Sequence, residues 1–278
     1  FPTDNMAMHY CPWEMQKYIL NSGLIKVIEG NVDPKDVDAD YVFDCRGKPD
    51  DFSNYHKLTN PTNAAILAKP NWNTSEKFWS RHVATPDGWT FVIPTHPTSP
   101  SNDYCVGYCY NSSITSKEDA EKNMLEIFDV EITKHVSYNN YVANEVVIDD
   151  RIILNGNKLF FIEPLESSST QTYLEVVQYF GKYGIKNINY EVHSYIRSIQ
   201  NFVLWHYQFG SKYDTPFWDY AKSLKFIDSE FDYVLRDVKH LSWYDIHRNL
   251  NENGAPTYGQ WNSYSFKNWQ EGMTKKGK

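Results

Sequence analysis

Pro164 constrains the fold of this chain more than any other residue. It closes the apolar run Phe160-Phe161-Ile162-Glu163 and is followed by Leu165, Glu166 and the hydroxyl residues Ser167, Ser168, Ser169 and Thr170. Proline has no backbone N–H to give a ladder, and it biases the residue before it away from helical geometry. A strand through Phe160–Ile162 must therefore break at this point, which puts Glu166 on a turn rather than on a solvated helix face. Two carboxylates and a row of hydroxyls behind an apolar strand read as the floor of a site.

Apolar surroundings disfavour the charged form of a carboxylate and raise its pKa, which suits Glu163 or Glu166 to general acid or base work. An isolated Glu-x-x-Glu is nevertheless more often an ion-paired or solvated pair. Paired carboxylates beside aromatics also fit a glycosidase, though no other residue supports one. The chain has no P-loop, Gly-x-Gly-x-x-Gly fingerprint, Gly-x-Ser-x-Gly elbow or His-Glu-x-x-His helix. The nine His lack metal-ligand spacing and read as structural or exposed. Cys105-x3-Cys109 lies in an alternating, strand-like stretch with no second ligand pair nearby, so packing cysteines are expected and no metal site.

With 278 residues, 41% of them hydrophobic, the chain is long enough for one large or two smaller globular domains. Its net charge of -8 lacks the basic footprint that phosphate-backbone binding needs, which argues against nucleic acid. No apolar run approaches the roughly 20 residues of a membrane span. Four scattered Cys fit a reducing compartment, and cytoplasm is the expectation. The sequence opens on Phe1 with no signal-like segment and reads as a fragment or processed product. Aromatics make up 16% of the residues, which fits either a heavy aromatic core or a pocket for a flat ring.

Periodicity predicts an α/β (α+β) chain with a helix at Pro12–Asn21 and strands at Ile25–Glu29, Tyr41–Asp44, Ala64–Ala68, Trp89–Ile93 and Cys105–Tyr110. A capping box at Ser116 opens a helix with Met124, Leu125 and Phe128 on its apolar face. Pro94, Pro97 and Pro100 mark a loop between two strands. Helical spacing then covers Gln171–Tyr183 and Asn187–Gln208, the latter with Ile188, Val192, Tyr195, Ile196, Ile199, Phe202 and Val203 on one face. Asp214 or Thr215 caps a further helix with Pro216 in its first turn.

Several stretches, in order, resemble the flavin-dependent tryptophan halogenases. Phe161-Ile162-Glu163-Pro164-Leu165-Glu166-Ser167 is similar to that family's Glu-Pro-Leu-Glu-Ser signature. Tyr41-Val42-Phe43-Asp44-Cys45-Arg46-Gly47 resembles its Asp-Cys-x-Gly strand and turn, and Gly88-Trp89-Thr90-Phe91-Val92-Ile93-Pro94 its Gly-Trp-x-Trp-x-Ile-Pro. Gly107-Tyr108-Cys109-Tyr110 with Thr115-Ser116, then His206-Tyr207 and Asp214-Thr215-Pro216-Phe217-Trp218, follow in the family's order.

The resemblance implies part of a FAD-dependent monooxygenase-like fold: a partial flavin-binding α/β region with a substrate-facing sheet over residues 1–170, and a mostly helical substrate-side region over 171–278. It implies an enzyme that uses reduced FAD, oxygen and halide to halogenate an electron-rich aromatic such as tryptophan or an indole. Glu166 then matches the family's catalytic glutamate and Ser167 its neighbouring serine, leaving Glu163 an orienting or structural role. Ser168 and Ser169 stand where the family has the Thr-Gly that binds halide, a departure that strains any φ > 0 requirement there. Asp44, Gly47, Gly156, Asn157 and Thr170 match cofactor-binding positions, and Trp89, Phe91, Ile93 and Pro94 the wall between flavin and substrate. Trp261, Phe266 and Trp269 are substrate walls or core aromatics.

The family's glycine-rich pyrophosphate loop and catalytic lysine have no counterpart in the sequence, so the chain is expected neither to hold FAD tightly nor to be active by itself. The resemblance further implies a small aromatic substrate and a separate reductase that supplies reduced flavin, and it is compatible with a homodimer. A flavin monooxygenase on the same scaffold and a catalytically silent aromatic-binding fragment stand as alternatives.

Overall fold

The computed structural model describes residues 10–73, 80–95, 105–209, 211–225, 257–258, 261–262 and 265. In chain order the elements are α1 (Pro12–Asn21), β1 (Val42–Asp44), β2 (Tyr55–Lys57), β3 (Ala64–Pro70), β4 (Arg81–Thr85), β5 (Gly88–Val92), β6 (Val106–Tyr110) and α2 (Lys117–Ile127). They continue with β7 (Val130–Ser137), β8 (Tyr141–Ala143), β9 (Val147–Ile148), β10 (Ile152–Leu154), β11 (Phe160–Phe161), α3 (Ser169–Phe209), α4 (Pro216–Ser223), β12 (Thr257–Tyr258) and β13 (Trp261–Asn262). Mixed sheets with helices give the α/β class expected from the periodicity. The chain divides into two compact units, one of Phe1–Val37 with Ala64–Ser137, the other of Asp38–Asn63 with Tyr138–Lys278.

The first unit is built on a five-stranded antiparallel sheet of order β4-β5-β6-β3-β7. Alternation puts Ile66, Val92, Val106, Tyr108 and Val130 into one apolar cluster, which α2 joins through Ala120 and Met124. Ser116 caps α2 by accepting from the Asp119 N–H, as its box predicts. Phe128 is buried on the same side, whereas Leu125, expected beside it, is half exposed, because one position beyond Met124 turns a side chain about 100° off the buried face. The run Ile25–Glu29 forms no strand, and Ile25, Val27 and Ile28 stay exposed, since no strand among the described residues pairs with their backbone. Cys105 and Cys109 are buried, and neither is in a disulfide among the described residues. Pro97 and Pro100 lie outside the described residues.

In the second unit β1 runs parallel to β10, which pairs antiparallel with β9, while β8 pairs antiparallel with both β11 and β2. α3 is two helical stretches divided at Gly184, whose φ of 63° and ψ of -171° leave the helical region. The break falls between the two stretches expected from the sequence. Beyond it Ile188, Val192, Tyr195, Ile196, Ile199, Phe202 and Val203 are all buried. Thr215 rather than Asp214 caps α4, and Phe217 and Trp218 pack against Tyr207 of α3. Trp261 is buried and stacks on Phe202 at 4.0 Å between ring centroids, while Phe266 and Trp269 lie outside the described residues.

Candidate active site

The strand breaks at Pro164 as its chemistry demands. β11 ends at Phe161, and a single 3-10 turn, Pro164–Glu166, follows, closed by the Ser167 N–H donating to the Pro164 carbonyl at 3.1 Å. Ser167 has φ 50° and ψ 29°, the left-handed region that a non-glycine residue occupies at a cost of about 1–2 kcal/mol. The strain therefore falls on Ser167, one position before the Ser168-Ser169 pair where it was expected, and Ser169 already begins α3. The Ser168 carbonyl accepts from the Thr172 N–H and hydroxyl, which ties this turn to the first turn of the helix.

The two carboxylates of the run meet opposite environments. Glu163 is 2% exposed. Its Oε2 accepts from the Thr62 N–H at 3.0 Å and the Thr62 hydroxyl at 2.6 Å, and its Oε1 accepts from the Tyr207 hydroxyl. Behind these donors Tyr138 donates to the Thr62 hydroxyl at 2.7 Å, and Asn140 bridges, donating to the Thr62 carbonyl and accepting from the Glu163 N–H. Burial pushes the Glu163 carboxyl up to about 7, against the downward pull of Thr62, Tyr207 and the nearby His206. This is the apolar elevation expected from the sequence, on a residue whose hydrogen bonds are already committed.

Glu166 is partly open, its side chain 24% exposed, and is held at one oxygen by His206 Nε2, 2.7 Å from Oε1. The other ring nitrogen of His206, Nδ1, lies 2.7 Å from the Phe202 carbonyl one turn back along α3. His206 and Tyr207 are adjacent, so one turn of α3 holds both carboxylates. Neither residue was assigned a part from sequence, His206 having been read as structural or exposed. The signal was the spacing from Gln200 to Tyr207, which puts them on one helix face: Gln200 donates to the Thr59 carbonyl, and Tyr207 reaches Glu163.

A second constellation gathers at the carboxyl ends of β1 and β10. The Asn155 N–H donates to the Asp44 carbonyl at 3.0 Å, and left-handed glycines follow on both sides, Gly47 with φ 70° and Gly156 with φ 61°. Asp44 is buried and gripped by Arg46 through Nε at 2.9 Å, Nη2 at 3.0 Å and the backbone N–H at 3.1 Å. Burial raises its pKa, but these bonds outweigh that and hold the carboxyl below its ordinary value. Asn157 accepts from Tyr141 at its carbonyl and from Tyr173 at its side chain, and Thr170 is exposed in the first turn of α3.

The wall residues Trp89 and Phe91 belong to β5 in the first unit, with Ile93 and Pro94 just beyond its end. Trp89 is buried and its indole N–H has no hydrogen-bond partner among the described residues. Its ring centre is 5.9 Å from that of Phe91, which in turn lies flat against Gly107, where a Cβ would come within 2.2 Å of the ring.

The family model for tryptophan halogenase matches residues 21–270. Tryptophan 7-halogenase KtzQ from Kutzneria sp. (strain 744) is 24% identical over 193 residues, 62% of this chain and 34% of that protein. Tryptophan 7-halogenase RebH from Lentzea aerocolonigenes is 26% identical over 175 residues, 56% of this chain and 31% of that protein. The chain thus spans about a third of the length of these curated relatives. Among solved structures, MibH, a tryptophan 5-halogenase, superimposes with a TM-score of 0.68 at 20% identity, covering 84% of this chain and 48% of that one. The tryptophan 6-halogenase SttH from Streptomyces toxytricini gives 0.60 at 20% identity, over 84% and 50%. The match across most of its length establishes that the chain belongs to the tryptophan halogenase family.

Proposed function

We propose that this chain supplies the substrate-side carboxylate and one edge of the cofactor site of a flavin-dependent halogenase that acts on tryptophan or a similar electron-rich ring. The observation that carries the reading is Glu166: a carboxylate on a rigid turn, partly open, bonded at one oxygen and with no partner at the other among the described residues. Such a group can receive a proton without breaking the bond that holds it. In the substitution step the ring carbon bonds to the electrophilic halogen of hypohalous acid, and the halogen–oxygen bond breaks with its electron pair leaving on hydroxide, which takes a proton and departs as water. Glu166 Oε2 then takes the ring proton, and the C–H electron pair returns to the aromatic system. Ser167 orients this carboxylate, and the backbone donors of Ser168 and Ser169, at the start of α3, are assigned to halide.

When bound, reduced FAD would supply, together with oxygen, the chemistry that converts halide to hypohalous acid. The residues present fit one edge of a flavin. The ends of two adjacent parallel strands are where open α/β sheets receive such cofactors, and the glycine turns at Gly47 and Gly156 leave the backbone uncovered there. Asp44 and Asn157 stiffen that edge, and Thr170 closes it. Trp89, Phe91, Ile93 and Pro94 are assigned to the wall between flavin and aromatic substrate. On this reading residues 1–170 hold the flavin-side part and 171–278 the helical substrate-side part. Reduced flavin comes from a separate reductase, and the setting is cytoplasmic.

The test is Glu166→Gln in the whole protein, supplied with reduced flavin, oxygen and halide. Halogenated product should fall on the order of 100-fold while consumption of reduced flavin stays near the parent rate. Equal loss of both would remove Glu166 from the substrate step. A product heavier by one oxygen and indifferent to halide would assign hydroxylation instead.

A further inference from the structure

The contact between His206 and Glu166 contains more than a distance. A carbonyl oxygen can only accept, so the Phe202 carbonyl at 2.7 Å requires a proton on His206 Nδ1. A second proton must then lie in the 2.7 Å contact between Nε2 and Glu166 Oε1, because a bare nitrogen lone pair and a bare carboxylate oxygen would repel at that separation. His206 is 8% exposed, so the ring is held between these two contacts inside the protein. Two carboxyl groups of one segment face this turn of α3: Glu166 in direct contact with His206, and Glu163 bonded by the neighbouring Tyr207. Phe202 closes the remaining side edge-on at 4.7 Å and is itself covered by Trp261.

We propose that His206 is the positioning residue of the Glu166 carboxyl group: its Nε2 engages Oε1 and leaves Oε2 as the oxygen that meets the substrate. The inference rests on the reading of Glu166 as the proton acceptor. It assigns His206 no contact with substrate. The ring acts through the carboxyl group, which a bond at one oxygen orients while the other oxygen stays available.

Two measurements test it. In the chain labelled with nitrogen-15 histidine, the His206 Nε2 signal should report a hydrogen bond that Glu166→Gln alters while the Nδ1 signal keeps its place. An Nε2 signal indifferent to Glu166→Gln overturns the proposal without any reference to activity. In the whole enzyme, His206→Gln keeps an N–H donor on a differently shaped side chain, and His206→Leu keeps no donor. Turnover should fall on the order of tenfold in the first and a hundredfold in the second, the range of groups that orient a reacting side chain. KM for the aromatic substrate should stay within about twofold, as expected when transition-state stabilisation is lost and binding is not. Glu166-dependent halogenation that survives His206→Leu at the parent rate overturns this inference alone. Halogenation that ignores Glu166 overturns the function reading beneath it.

Discussion

The first unit buries what an antiparallel sheet ordinarily buries, and the second buries a carboxylate. Ile66, Val106, Tyr108 and Met124 fill the interior between the five-stranded sheet and α2, and the Tyr108 hydroxyl is met by Thr85 at 2.8 Å. At the comparable depth in the second unit lies Glu163, ringed by Thr62, Tyr207, Tyr138 and Asn140. Apolar packing holds a shape at any pH. A buried, hydrogen-bonded acid holds one too, but its contribution depends on its proton, so the core that borders the proposed chemistry is also the one that senses acidity.

The largest effect that would sharpen this contrast is Met124→Ala. It removes a fully buried side chain from the first unit and should lower stability by about 4 kcal/mol, equally at pH 5 and pH 8. A clear pH dependence of that loss, read by denaturant melts, would break the division between the two cores.

Next comes the acid dependence of the second core. Glu163 binds its proton more tightly in the folded chain, at about 7, than in the unfolded one, where the ordinary value is 4.5. Its favourable contribution is therefore complete below about pH 4.5 and lost as pH rises through about 7, a span of about 3 kcal/mol. Glu163→Gln keeps the shape and removes the titration, so the stability curve should flatten over that window; a variant with the parent slope would assign the slope to another group.

The smallest of these effects is Gly107→Ala, where a new methyl meets the Phe91 ring. It should cost about 2 kcal/mol, and Phe91→Ala in the same chain should relieve part of that. Simple additivity of the two losses would show that the ring does not rest on Gly107.

This contrast also explains which parts of the molecule were legible in the sequence. Alternation in Val106–Tyr110, the capping box at Ser116 and the helical face from Ile188 to Val203 are local patterns, and each element formed where its pattern lay. Ile25–Glu29 had apolar residues without a partner strand, and partners are a tertiary fact. At the site, Pro164 announced the turn, and the signature around it singled out Glu166. His206 and Tyr207 entered only as a stretch in the family's order, without a role, and Thr62 not at all, because a side chain's meaning lies in what faces it: 40 positions separate Glu166 from His206, and 101 separate Thr62 from Glu163. Glycine at the departed position had suggested strain at Ser168-Ser169, but backbone hand is set by where the helix starts, and that moved it to Ser167.

The short turn between the two carboxylates has a mechanical consequence. Pro164 has a fixed φ, Ser167 closes back on it, and Glu163 is anchored by three donors. The link from Glu163 to Glu166 is thus a stiff ruler with one end clamped in the protein interior. Any error in seating the hidden end is copied to the open end with little attenuation, so the placing accuracy of Glu166 is inherited from a residue that never meets solvent.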